Sequence, residues 1–356
     1  MNDDTRYLRQ TSLESFGAEN QLKLANSKIL IIGLGGLGIP VATYLNAMGV
    51  GTIGIMDNDI IELHNLQRQV LYSETDLGKQ KLSIAFEKLR AQNSNTIVKA
   101  FTEFLTKDNA LTIIKDFDVV VDATDNFATR YLINDACVIL NKPFIYGALH
   151  AFEGQISVFN FKNGPTYRCL FPNMPKNNEI LNCDENGVLG ILPGIIGTLQ
   201  ALEVVKVITE VGEVLSGKLL LFDGLTQTIQ KIGFKARVEN KTIVELKEDY
   251  GFSLCSIENS IEAEDFDELN KRHFVQLVDV RNPDEFEEFH LPNAINVPLP
   301  ELENSLQSID FSMPVYFICQ SGKRSEIALQ SLQKEYSNTS MYSVSGGMGK
   351  MALICH

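Results

Sequence analysis

Gly33-Leu-Gly35-Gly36-Leu-Gly38 stands directly behind the apolar run Lys28-Ile-Leu-Ile-Ile32, and no other feature constrains the chain as much. A short continuous apolar run reads as a strand buried on both faces, as in a parallel sheet. Residues 39–48 carry a helical pattern, so the glycines occupy a strand-to-helix turn. Glycines there let the backbone bend sharply and approach a phosphate, whose charge meets the helix N-terminus. Asp57 ends the next apolar segment, 52–56, where a carboxylate can hold ribose hydroxyls.

The alternation continues. Residues 96–101, 118–122 and 143–147 read as strands, and 79–91 and 129–140 as helices. Strands alternating with helices imply an α/β fold with a doubly wound, mostly parallel, Rossmann-like sheet. Two further strands are expected at 155–161 and 218–223, around an apolar helix at 194–208. The pattern loosens after residue 235. The expected division is a nucleotide-binding domain over 1–235, a linker over 236–262 and a small α/β domain over 263–356. That last domain should contain strands Phe274–Val280 and Val315–Cys319 and a helix from Ser325 to about Glu335.

Charge narrows the function. With 45 acidic and 31 basic residues the net charge is −14, which argues against nucleic acid or an anionic membrane surface as partner. The uncharged run between Glu185 and Glu203 is short for a membrane span and contains Pro193, so a buried helix is expected. The start, Met1-Asn-Asp-Asp4, lacks the basic and apolar regions of a signal peptide. Six cysteines form no CxxC pair. A cytoplasmic protein with reduced thiols is expected.

The glycine loop alone does not separate ATP from NAD. The segment after Asp57 does, because it holds Asn65 and Arg68, with Lys81 on the next helix. A triphosphate attacked at its α-phosphorus needs donors for the charge that develops, and these three can supply them. Asp125, just beyond the strand ending at Asp122, can hold Mg²⁺ through its oxygens. An NAD-dependent oxidoreductase on the same loop is the alternative, and it leaves Arg68, Lys81 and Cys319 unexplained. A non-catalytic scaffold for a carrier protein is the other.

Arg6-Tyr-Leu-Arg9-Gln10, Gly33–Gly38, Asn65-Leu-Gln-Arg-Gln69, Asp122-Ala-Thr-Asp125-Asn126 and Glu153-Gly-Gln155 resemble the ThiF/MoeB family of E1-like adenylating enzymes over about residues 5–235. The resemblance implies adenylation of the C-terminal glycine of a ubiquitin-like sulfur carrier with ATP and Mg²⁺. By the same resemblance Gly33, Gly35, Gly36 and Gly38 would line the nucleotide, and Asp57 would bind ribose. Asn65, Arg68 and Lys81 would bind phosphates, and Asp125 and Asn126 would complete the site with the metal on Asp125. Arg9 would reach the ATP of a neighbouring subunit, which implies a homodimer. The family commonly carries a zinc held by two CxxC pairs. Here the first reads Thr166-Tyr-Arg-Cys169 and the second is missing, so no structural zinc is expected.

Cys319-Gln-Ser-Gly-Lys-Arg324-Ser follows the apolar run Val315–Ile318 and precedes a helix. Loop amides, the helix N-terminus, Lys323 and Arg324 would together stabilise an anionic sulfur and make it nucleophilic. Leu277-Val-Asp279-Val-Arg281, Glu285-Phe286, His290–Pro298 and Gly346-Gly347 resemble rhodanese over about 263–356, with a six-residue loop of sulfurtransferase length. Asp279 and Arg281 read as pins for the strand end and loop, and Asp284-Glu285 with Glu287-Glu288 as a solvated helix face. Together the halves imply a carrier acyl-adenylate attacked by a Cys319 persulfide to give a thiocarboxylate. Cys183 is the candidate thiol for resolving an acyl-disulfide, although Asp184 and Glu185 beside it disfavour a thiolate. Molybdopterin synthesis, thiamine synthesis and tRNA thiolation all use such chemistry.

Overall fold

A computed structural model of the chain describes residues 5–174, 187–248, 250, 259–273, 275–333, 336 and 339–354. Cys183, Cys255, Cys355 and Phe274 lie outside the described residues. The chain divides into two units, Met1–Phe252 and Ser253–His356.

The first unit runs α1 (Leu8–Thr11), α2 (Gly17–Asn26), β1 (Lys28–Ile32), α3 (Gly38–Ala47), β2 (Thr52–Met56), α4 (Lys81–Gln92), β3 (Ile97–Phe101), α5 (Lys107–Ile114), β4 (Val119–Asp122) and α6 (Phe127–Ile139). It continues with β5 (Phe144–His150), β6 (Glu153–Phe159), α7 (Tyr167–Leu170), α8 (Ile191–Thr209), β7 (Lys218–Asp223) and β8 (Thr228–Gly233). The sheet order is β3-β2-β1-β4-β5-β6-β7-β8. Strands β1 to β5 pair in parallel, and β6, β7 and β8 are added antiparallel.

The apolar runs explain the centre of this sheet. Every residue of β2 and β4 is buried, and β1 is buried from Ile29 onward. Alternate side chains then feed two cores. Ile29 and Ile31 pack with Val41, Ile53 and Ile196 on one face, and Leu30 and Ile32 with Val120, Tyr131 and Phe144 on the other. Helix α8 is long and apolar enough to cross a membrane, but it packs against α3 and β5, and 56% of its apolar window is buried within the fold. Residues 236–250, expected in the linker, belong to this unit instead. Tyr250 is buried and its Oη donates to Asp135 Oδ2 at 2.8 Å, beside the bidentate Arg168–Asp135 pair. Strand β8 escaped the sequence reading because all six of its residues are exposed, so no face of it has a pattern to show.

The second unit runs β9 (Ser260–Glu262), α9 (Ala263–Arg272), β10 (Gln276–Asp279), α10 (Pro283–Glu288), β11 (Ala294–Asn296), β12 (Val315–Ile318), α11 (Lys323–Gln333), β13 (Met341–Ser345) and α12 (Gly347–Ile354). Its five strands are all parallel, in the order β11-β10-β12-β13-β9. The central β10 and β12 are buried along their whole length. Strands β9 and β11 have three residues each, too short for a periodic signal.

Candidate active sites

The first site lies at the carboxyl ends of β1, β2 and β4, where open α/β sheets bind their ligands. Three of its glycines are required by space. Gly33 has φ +95°, and a Cβ there would stand 2.5 Å from the Ala123 carbonyl oxygen; one on Gly38 would stand 1.9 Å from the Gly33 oxygen. Gly35 differs, because the nearest atom to a Cβ there would be Gln69 Nε2 at 3.8 Å. The fold would therefore admit a Cβ at Gly35 in ordinary contact with Gln69, so packing does not require this glycine, and its bare backbone fits a cradle for a phosphate chain. A Cβ on Gly36 would stand 2.8 Å from Pro193 Cβ and 3.5 Å from Arg68 Cγ, so Pro193 closes this position and the stem of Arg68 lies beside the loop.

Asp57 braces the cradle. Its Oδ2 accepts the Leu34 N–H at 2.6 Å and its Oδ1 the Asp59 N–H at 2.8 Å. Burial raises its pKa above the usual carboxylate value, with Lys81 pulling the other way. Lys81 is buried, and its Nζ meets Asp59 Oδ2 at 2.8 Å. Asn65 is buried in a capping box, its Oδ1 accepting the Glu62 N–H at 3.2 Å. Arg68 is half-buried and donates through Nη1 to the His64 carbonyl at 3.0 Å.

The loop after β4 is held from below. Asp122 is fully buried and accepts from Arg130 Nε at 2.9 Å and from the Thr124 N–H at 3.0 Å. Arg130 Nη2 also donates to the Thr124 carbonyl at 2.8 Å. This fixes a turn that leaves Asp125 exposed and puts Asn126 at the N-cap of α6, accepting the Thr129 N–H at 2.8 Å. The exposed carboxylate of Asp125 fits a hard cation such as Mg²⁺, which retains several waters. Arg9 lies on α1, exposed.

Sequence reasoning missed several residues here. Tyr72 is buried and its Oη donates to the Leu34 carbonyl at 3.1 Å, tying the glycine loop to the segment before α4. Gln69 is buried beside Gly35 with its Oε1 unpaired among the described residues. Gln200, fully buried on α8, donates to the Asp122 carbonyl at 2.8 Å. A tyrosine or glutamine in an apolar stretch carries no local sign of these long-range partners.

The second site is Cys319, at the end of β12 and buried to 1% exposure. The Gly322 N–H donates to its Sγ at 3.2 Å, and Ser325 Oγ stands 3.6 Å away. The loop carbonyls are held outward: the Met348 and Gly349 N–H groups, at the start of α12, donate to the Cys319 and Gln320 oxygens at 2.8 and 2.9 Å. A Cβ on Gly347 would stand 2.0 Å from the Cys319 oxygen, so glycine is required there too. Arg281 and Asp279 are buried together, with Nη2–Oδ2 at 2.7 Å, and Arg281 Nη1 reaches Gln320 Oε1 at 3.5 Å.

Two expectations change. Arg324, read as a charge for the sulfur, makes a two-pronged pair with Glu285, both contacts at 2.7 Å. Glu285, read as part of a solvated face, is thereby a partner of the loop, and the Arg324 contact holds it below the usual glutamate value. A planar guanidinium matched by a carboxylate through two aligned hydrogen bonds gains geometric specificity as well as charge.

The ThiF family description matches residues 7–243, and the rhodanese-like domain description matches residues 262–352. "Adenylyltransferase and sulfurtransferase MOCS3" of Drosophila ananassae is 38% identical over 374 residues, covering 98% of this chain and 83% of that one. The protein of the same description in Culex quinquefasciatus is 40% identical over 362 residues, covering 93% and 82%. Among solved structures, Escherichia coli MccB with ATP shares 27% identity at a TM-score of 0.58, covering 65% of this chain and 72% of that one.

Proposed function

Because the chain belongs to the ThiF family and carries a rhodanese-like domain after it, we propose that it is an adenylyltransferase and sulfurtransferase that activates a ubiquitin-like sulfur carrier. The observation that carries this is the pairing in one chain of a bare glycine cradle at Gly35 with a cysteine loop whose Gly322 N–H faces Cys319 Sγ.

The first step joins the carrier's terminal carboxylate to AMP and releases pyrophosphate from ATP. The attacking carboxylate is already charged, so no enzyme base is needed, and positioning and charge stabilisation are what the site must supply. The backbone at Gly35 and Gly36 would hold the phosphates, with Asn65, Arg68 and Lys81 as donors. Arg68 and Lys81 donate to local acceptors in the free structure and Asn65 Nδ2 lies 3.1 Å from His64 Nε2, so the three donors are preorganised and would exchange those partners for phosphate oxygens. Asp57 would take the ribose hydroxyls while still bracing Leu34. Asp125 would hold Mg²⁺, which spreads the charge of the leaving pyrophosphate. Arg9 would act on a second subunit's nucleotide in a homodimer.

In the second step the Cys319 thiolate attacks the sulfane sulfur of a donor such as thiosulfate, the donor's S–S bond breaks with sulfite leaving, and Cys319 becomes a persulfide. Its terminal sulfur attacks the acyl carbon, and the C–O bond to AMP breaks. A second thiol then attacks the inner sulfur of the acyl-disulfide, releasing the thiocarboxylate and leaving a protein disulfide. Cys183 is the candidate for that thiol. Molybdenum cofactor biosynthesis is the pathway this reading favours, and the cytoplasm its location.

The test is the intact mass of candidate carriers ending in Gly-Gly, incubated with the protein, Mg-ATP and thiosulfate. A gain matching replacement of one oxygen by sulfur, absent with Cys319→Ala, is expected. No gain and no pyrophosphate release with any carrier would overturn the reading.

A further inference from the structure

Thr166 and Cys169 bracket the first turn of α7, and Arg237 and Asn240 bracket the start of the short 3-10 turn Val238–Lys241. The two segments share an i, i+3 spacing, and all four residues meet at one atom. The Sγ of Cys169 receives the Arg237 N–H at 3.2 Å, the Thr166 N–H at 3.4 Å and the Asn240 side-chain amide at 3.7 Å, and its own S–H faces the Arg237 carbonyl at 3.9 Å. Thr166 Oγ1 stands 3.3 Å away. Cys169 also takes the glutamate place in a capping box: its own N–H bonds the Thr166 side chain while its sulfur accepts the Thr166 N–H. Arg237 and Asn240 repeat the spacing of a CxxC pair in the stretch after residue 235.

Two i, i+3 pairs around one point are the layout of a four-ligand zinc site. The donor chemistry here does not fit a metal. Zinc needs four electron-pair donors, whereas Thr166, Arg237 and Asn240 turn N–H groups toward the sulfur. We propose that these four positions form a metal-free clasp, in which the sulfur of Cys169 is the hydrogen-bond acceptor that ties residues 237–240 to residues 166–169. The clasp secures the chain where it leaves the exposed edge strand β8, between Phe234, which packs against Phe159, and the buried Tyr250. Burial raises the Cys169 pKa, but the donors outweigh burial and the net shift is downward.

The test uses the full chain and needs no substrate. The wild type, purified in the presence and absence of a chelator, is expected to hold no stoichiometric zinc and to melt at the same temperature in both. Cys169→Ala leaves the donors without an acceptor, and the melting temperature should fall by roughly 3–10 °C. Amide exchange at residues 237–240 should rise with it, and Cys169→Ser should restore part of the protection. The combined variant Thr166→Cys, Arg237→Cys and Asn240→Cys should bind one Co²⁺ per chain with a tetrahedral thiolate spectrum, and gain stability when it does. Stoichiometric zinc with a chelator-sensitive melt in the wild type would overturn the clasp. So would unchanged exchange at 237–240 in Cys169→Ala, or a folded triple variant that ignores Co²⁺. If the triple variant does not fold, the wild-type metal content and the Cys169→Ala exchange decide.

Discussion

The glycine cradle and the cysteine loop are the same device used for two chemistries. Each leaves the end of a buried parallel strand, turns through a glycine at φ +95° and enters a helix. Each is braced by an aspartate at the end of the neighbouring strand: Asp57 holds the Leu34 N–H, and Asp279 holds Arg281, which reaches Gln320. The difference is where the reactive groups come from. The cysteine loop carries its nucleophile and its N–H donor within four residues, Cys319 to Gly322. The cradle carries only backbone, and its charged partners arrive from residues 57–81 and 122–126. Sulfur chemistry needs one nucleophile with donors around it. Phosphate chemistry needs charge from several directions around a large group.

That comparison sets the size of the expected effects. Cys319→Ala removes the only nucleophile of its loop, so thiocarboxylate formation should fall by about 10³-fold or more while pyrophosphate release persists. Retained thiocarboxylate in the mass assay would place the nucleophile elsewhere. In the cradle the work is shared. Arg68→Ala and Lys81→Ala should each slow pyrophosphate release by about 10²–10³-fold, with sulfur loading of Cys319 from thiosulfate unchanged.

Glycines within one loop should also part company. Gly38→Ala drives a carbon into the Gly33 oxygen and should destabilise the first unit by roughly 3 kcal/mol or more, read in a denaturant melt. Gly35→Ala meets no such obstacle and should keep its stability while weakening ATP binding, measured by calorimetry. Equal stability losses in the two variants would mean that Gly35 is structural and its backbone is not a ligand site.

The smallest effect concerns the Glu285–Arg324 pair. Both groups are partly exposed, so Glu285→Gln should cost at most about 1 kcal/mol of the second unit's stability. Its sign with pH is fixed by the lowered pKa of Glu285. The pair's contribution is fully present above the usual glutamate value of 4.5 and is lost as pH falls through the lower folded value. Wild type and Glu285→Gln should therefore differ at neutral pH and converge in acid. A constant difference from neutral pH into acid would assign the effect to packing instead.

Much of this was legible in the chain. The runs 28–32, 52–56 and 118–122 announced buried parallel strands, and the strand-turn-helix settings of Gly33–Gly38 and Cys319–Ser325 announced both loops. Helix starts and ends moved by a few residues, as at α6, which begins at Phe127 under the Asn126 cap rather than at 129. The edge strand β8 and the short strands β9 and β11 were silent, because a strand without a buried face leaves no alternation to read.

The sequence by itself determined the two strand-loop-helix units and the residue types each offers, since burial along a strand and turn chemistry are written in neighbouring residues. Tertiary structure alone decided which distant groups meet. It gave Arg324 to Glu285, Tyr72 to the glycine loop, Tyr250 to Asp135, and Arg237 and Asn240 to Cys169. Such pairings join residues far apart in the chain, and they form only because packed strands and helices bring them within a few ångströms, a distance that no local pattern records.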